Sequence, residues 1–201
     1  MTAGNVRITV LSAFVVCWSA AAPAMAQERG GFWIGAGTGL GSTGVSCGGC
    51  DSEREGGGTG YIRAGWTMND RLLIGGDVNI WRKGAELEEG LKATINLYSV
   101  LGTATFYPSR SSGLFVKGGA GVSLLDTDVD FAGMNFTVEM GKGLGLLAGV
   151  GYDFRVGRRI SVTPAMNAWY GDLGDVKVSG ETLFERWKHN VVDFTIGITF
   201  H

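Results

Sequence analysis

Three sets of residues in this chain carry groups able to do chemistry, and each points to a different kind. Cys47 and Cys50 form a CGGC motif. In a cytosolic α/β protein that spacing belongs to a redox pair at a helix start. Here Gly, Ser, Asp and Glu surround it with no helix signal, so the expectation is a loop-tip disulfide, with free or metal-binding thiols as the alternative. Two cysteines without a nearby histidine make a poor zinc site, and no metal or other cofactor is expected. The second set rests on His189, which has Glu185 four residues before it and could meet Ser179 in a nucleophile, base and acid arrangement. Nothing in the spacing lifts it above a loop histidine, and the chain is expected not to be an enzyme. The third set is six charges embedded in apolar, glycine-rich stretches: Arg63, Lys117 and Arg155 against Asp77, Asp153 and Asp193.

What such charges can do depends on the elements that hold them, and those elements are strands. The closing stretch Asn190 to His201 places Val192, Phe194, Ile196, Ile198 and Phe200 at every second position, with Asp193, Thr195, Gly197 and Thr199 between them. A period of two belongs to a strand with one apolar face. Seven earlier runs share it: Phe32 to Gly41, Gly60 to Met68, Arg71 to Arg82, Ala93 to Tyr107, Leu114 to Leu125, Gly143 to Val156 and Ile160 to Tyr170. The fourth carries apolar residues on both faces; Tyr98, Val100, Gly102, Ala104 and Phe106 are assigned outward there, with Ser99, Thr103 and Thr105 inward. Pro164 removes a ladder donor from the seventh run and is read as a bulge.

The connections after runs two, four and six are turns of a few residues. Those after runs one, three, five and seven are longer and polar, roughly Ser42 to Thr59, Lys83 to Lys92, Asp126 to Lys142 and Asp172 to His189. If the apolar face meets lipid, the strands must close on themselves, because an open edge leaves backbone groups unsatisfied in a membrane. The expected fold is therefore all-β: an eight-stranded antiparallel transmembrane β-barrel, an up-and-down meander with short periplasmic turns and longer extracellular loops. Phe32, Trp66, Phe106, Phe154 and Phe200 fall at the short-turn ends and Tyr98 and Tyr170 at the other, as two aromatic girdles would. By parity all six charges point inward. An eight-stranded barrel is only wide enough for side chains to fill, so they are read as a salt-bridge network closing the lumen, with a selectivity ring in a narrow pore as the alternative.

Residues Met1 to Ala26, with Arg7, an apolar run and the Ala24-Met25-Ala26 end, read as a cleaved secretory signal, leaving Gln27 to His201 as one domain. The formal net charge of −2 gives no electrostatic case for nucleic acid. The apolar residues Phe131, Met134, Phe136, Leu183, Phe184 and Trp187 in the later loops suit either a partner or lipopolysaccharide, or packing of the loops on one another.

The signal, the hairpin around GLFVKGGAGV and GLLAGVGYDF, and the terminal DFTIGITF together resemble the small outer-membrane β-barrel family typified by OmpA and OmpX. The resemblance implies a Gram-negative outer membrane location after export, both termini in the periplasm, and surrounding outer-membrane lipid and lipopolysaccharide as partners. It also implies that Phe194, Ile196, Ile198 and Phe200 act as the signal read by the barrel assembly machinery, although Phe200 is penultimate and His201 follows it. The function expected is a structural or surface-interaction role with a filled lumen. The alternatives are a narrow porin-like passive channel and, less favoured, an enzyme acting on lipid A or peptide.

Overall fold

A computed structural model describes residues 29–48, 54–88, 91–131, 134–178 and 181–201; the expected signal segment lies outside them. Alternation of side chains across every strand builds one antiparallel sheet: β1 (Phe32–Ser46), β2 (Glu55–Asn69), β3 (Leu72–Glu88), β4 (Leu91–Phe106), β5 (Leu114–Phe131), β6 (Met134–Tyr152), β7 (Phe154–Arg155), β8 (Ile160–Val178) and β9 (Glu181–Phe200). Neighbours in sequence pair in order, and β1 pairs with β9 from Ile34↔Phe200 to Ser46↔Lys188, which closes the barrel. β6 and β7 are one crossing interrupted at Asp153, so the wall has eight strands in a meander.

The interruption has a local cause, and it corrects the bulge expected at Pro164. Pro164 faces Ile196 in unbroken register with β9. On its other side the ladder runs to Gly151↔Ala165 and resumes at Phe154↔Val162 in the same register. Proline has no N–H to give there, so the ladder opens without any shift. Tyr152, opposite Pro164 in this register, is the residue that lacks the donor; the Asp153 amide points to the other side, where it extends the β5 register by donating to Gly113 O at 2.9 Å.

The outer face is apolar and open. Leu40 is 76% exposed and Ile62 62%, and Ile34, Val78, Val116, Leu144, Phe194, Ile196 and Ile198 are exposed with them. A water-soluble monomer does not present a continuous belt of this kind. Phe32, Trp66, Phe106, Phe154 and Phe200 all lie on this face near the short turns, with Phe32 opposite Trp66 and Phe200 opposite Ile160. Tyr98 and Tyr170 are half-buried farther along, opposite Ile80 and Leu146.

The long connections are shorter than expected. β3 and β4 stay paired as far as Glu88↔Leu91, β5 and β6 to Phe131↔Met134, and β8 and β9 to Val178↔Glu181. Most of the polar stretches therefore continue the sheet as tall hairpins beyond the apolar belt. Gly, Asp, Glu and Lys are frequent in these stretches, so the period-two signal fades even though the ladder does not. Register shifts at Glu86/Glu88, Leu125/Asp126 and Asp172/Gly174 mark where these extensions twist away, and Gly174 takes a positive φ of 67° there.

Candidate functional site

The fourth strand's two apolar faces are explained by what fills the barrel. Ser99, Thr103 and Thr105 are buried as assigned, and Leu97 and Leu101 point inward beside them. They join Trp81, Leu125, Leu147, Trp169, Leu173, Val176, Trp187 and Val191 in an apolar plug at the tall-hairpin end of the lumen. A second cluster of Trp33, Leu73, Tyr107, Phe115 and Ala165 fills the short-turn end. The large rings fit because the positions facing them are glycine. A Cβ on Gly75 would come within 2.7 Å of the Trp33 ring, and one on Gly37 within 2.6 Å of Tyr61.

The charges lie between and below these plugs, and the partners of each can be followed in turn. Lys117 Nζ donates to Asp77 Oδ2 at 2.9 Å, and both side chains are almost fully buried. Thr103 Oγ1 donates to the other carboxylate oxygen, also at 2.9 Å. Asp193 has neutral donors instead: Asn167 Nδ2 at 2.7 Å, Trp169 Nε1 at 3.0 Å and Thr59 Oγ1 at 3.3 Å. Arg63 is the strand partner of Asp77, but its guanidinium reaches past Gly35 to Thr199 Oγ1 at 2.8 Å. There it lies 5.2 Å from the Tyr61 ring and 5.6 Å from Phe115. Cation–π contact inside the barrel offsets part of the cost of burying that charge. Arg155 is half-buried at the rim and donates to Arg158 O at 2.9 Å.

The short-turn mouth has a floor built by both ends of the described chain. Asp153 accepts from Tyr107 Oη and Thr163 Oγ1, each at 2.6 Å. His201 Nε2 lies 3.6 Å from the same carboxylate, and the His201 amide donates to Arg159 O at 2.9 Å. Arg29, just before β1, stacks its guanidinium 3.5 Å from the centre of the Tyr107 ring. It donates to Ser112 O at 2.8 Å and to Asp70 O at 3.4 Å. Burial lowers the Arg29 pKa from its usual value and raises that of the Tyr107 hydroxyl, which the neighbouring Asp153 carboxylate raises further.

His189 is not a loop residue. It belongs to β9 and is 1% exposed, with Nε2 3.1 Å from Ser123 Oγ and its ring between Trp169 and Trp187. Its partner is therefore Ser123, while Ser179 lies outside the described residues. Trp187, read as a loop residue, is buried in the upper plug, whereas Phe184 is exposed. Phe131, Met134, Phe136 and Leu183 fall within strands β5, β6 and β9. Cys47 is disulfide-bonded and packs against the upper plug; Cys50 lies outside the described residues. Among the described residues no three His, Cys, Asp or Glu side chains are grouped to hold a metal ion.

Arg29, Tyr107 and Phe115 are the residues of this interior that the sequence reading does not single out. Parity reaches two of them: Phe115 lies between outward Leu114 and Val116, and Tyr107 ends the fourth run beside outward Phe106. Arg29 lies before the first run, where parity says nothing.

The model for the outer membrane protein beta-barrel domain matches residues 9–183. Among solved structures, the chain is similar to Ail, the attachment invasion locus protein of Yersinia pestis, at 15% identity and a TM-score of 0.56, over 86% of this chain and 100% of that one. It is also similar to Neisserial surface protein A, at 21% identity and a TM-score of 0.56, over 84% and 96% of the two chains. No curated protein matches the sequence.

Proposed function

The chain belongs to the outer membrane protein beta-barrel domain family, and from that premise we propose a structural or surface-interaction role, exercised through its tall hairpins while side chains keep the lumen shut. The short turns and both termini face the periplasm in this reading, after export and cleavage before Gln27. The observation that carries it is the stacking of the lumen: an apolar plug around Trp81 and Trp169, the Lys117–Asp77 pair, a lower plug around Trp33 and Phe115, and the floor at Asp153. An eight-stranded wall leaves little room around such a column. The hairpins rise past the apolar belt on the opposite side from the sealed floor, which leaves them as the surface free to meet a partner or the sugars of lipopolysaccharide. Liposomes carrying the folded protein test this: small-sugar uptake should match that of protein-free liposomes, and faster uptake overturns the closed lumen.

One observation favours a narrow channel as the second reading. Trp33 Nε1, Tyr61 Oη, Arg63 Nε and Asn79 Nδ2 are buried without a hydrogen-bond partner among the described residues. Groups of this kind are ordinarily served by water, and waters joined end to end along the lumen would make a path. The same uptake experiment separates the two readings.

A further inference from the structure

The two rims of the barrel are charged differently. On the tall hairpins the two signs are mixed: Lys83 Nζ lies 2.9 Å from Glu55, Lys188 3.4 Å from Asp172 and Arg82 3.7 Å from Asp128, and Arg54, Lys142 and Arg186 share that end with exposed Asp175 and Glu185. On the short turns Arg71, Arg110, Arg158 and Arg159 are exposed, and among the described residues there Asp70 is the exposed acid, already 3.5 Å from Arg110. The side chains of Arg71, Arg158 and Arg159 have no acidic group within ion-pairing distance among the described residues.

We propose that this arginine crown is a docking surface for the phosphates of anionic phospholipids in the membrane leaflet that surrounds the short turns. Height is the first argument. Arg71 precedes Leu72, which faces Phe106, and Arg159 precedes Ile160, which faces Phe200. Each arginine therefore stands one residue beyond the aromatic band, about 3 Å along a strand. Aromatic bands sit at headgroup level, so the guanidinium groups stand among lipid phosphates.

Rigidity is the second argument. The Arg71 amide donates to Asn69 Oδ1 at 2.9 Å, and the carbonyls of Arg158 and Arg159 accept from Arg155 Nη1 and from the His201 amide. The backbones of both turns are held while the arginine side chains remain free to fork onto phosphate oxygens, which a planar guanidinium suits. A polymer of sugars and acidic peptides deeper in the periplasm would also be attracted, but turns of so few residues do not project beyond the headgroups to reach it.

The proposal rests on the orientation given above, short turns toward the periplasm, and the experiment separates the two. The full mature chain is folded into bilayers of phosphatidylethanolamine with a minor fraction of phosphatidylglycerol, and co-purified lipid is measured by mass spectrometry. Phosphatidylglycerol should be enriched about threefold or more over the bulk membrane, and less so at high salt. The combined variant Arg71→Gln, Arg110→Gln, Arg158→Gln and Arg159→Gln should return it to the bulk ratio while still folding to a heat-modifiable barrel. Lys83→Gln with Lys188→Gln should leave it unchanged. Equal enrichment in wild type and the four-arginine variant overturns the proposal, as does arginine-dependent pelleting with cell-wall sacculi in place of lipid enrichment. Orientation is read separately, by maleimide labelling of Ser111→Cys in intact and permeabilised cells. Labelling in intact cells refutes the orientation whatever the lipid result.

Discussion

His201, the last residue of the chain, holds its imidazole 3.6 Å from the Asp153 carboxylate, with both side chains buried in the mouth of the barrel. Its amide is tied to Arg159 and the Asp153 amide to Gly113, so one contact joins the end of the last strand to two turns. Removing the ring leaves a buried carboxylate with fewer partners, at a cost of about 1–3 kcal/mol. His201→Ala should speed hydrogen exchange at the Asp153 amide and at residues 156–159 while leaving the upper strands protected. An unchanged exchange pattern would mean that the ring carries none of the floor's stability.

Arg29 makes the matching contact from the other terminus. Arg29→Gln loses the stack on Tyr107 and the bond to Ser112, and should speed exchange at residues 107–113 with little change in overall unfolding. Proteolysis of the mature protein within that turn should rise in parallel. If neither changes, the clasp is not needed to hold the turn.

The Lys117–Asp77 pair gives the largest expected single-residue effect. Lys117→Ala strands a buried carboxylate, which in comparable sites costs about 3–5 kcal/mol. Replacing both charges together, Lys117→Met with Asp77→Leu, should recover most of that loss. Urea titrations in lipid, read by heat-modifiable migration, distinguish the single from the double variant. Equal losses in the two would show that shape rather than charge governs the site.

Inward and outward glycines should behave in opposite ways. A Cβ on Gly65 would meet the Trp33 ring at 2.8 Å and the Gly75 backbone at 2.5 Å, whereas one on outward-facing Gly102 finds its nearest atom at 3.8 Å. Gly65→Ala should therefore destabilise by about 1–3 kcal/mol, as overpacking does, while Gly102→Ala should be close to neutral. Comparable losses at both positions would mean that the lumen is not tightly filled.

The apolar belt could be read in the amino-acid sequence because lipid on one side and a filled lumen on the other force alternation on every crossing. That is why Arg63, Asp77, Lys117, Asp153 and Asp193 all face inward where parity puts them. Parity assigns a face but not a partner. Arg63 and Asp77 are strand neighbours, yet one turns to Thr199 and the other to Lys117, a choice made by space around Gly35 and the lower rings. The tall hairpins read as loops because Gly, Asp, Glu and Lys interrupt the period of two there. Trp187 and His189 sit in such a stretch, among Glu185, Arg186, Lys188 and Asn190, yet both are buried in the lumen. Pro164 looked like a bulge because a missing donor usually forces a shift; here the strand breaks at Asp153 instead.

Single-channel recording across a planar bilayer tests the filled lumen most directly. The folded wild-type protein should give a baseline indistinguishable from a bare bilayer over long recordings at either polarity. Reproducible small-conductance steps that change in size in Asp77→Ala or Lys117→Ala would contradict it, because ions would then be passing the layer of the Lys117–Asp77 pair.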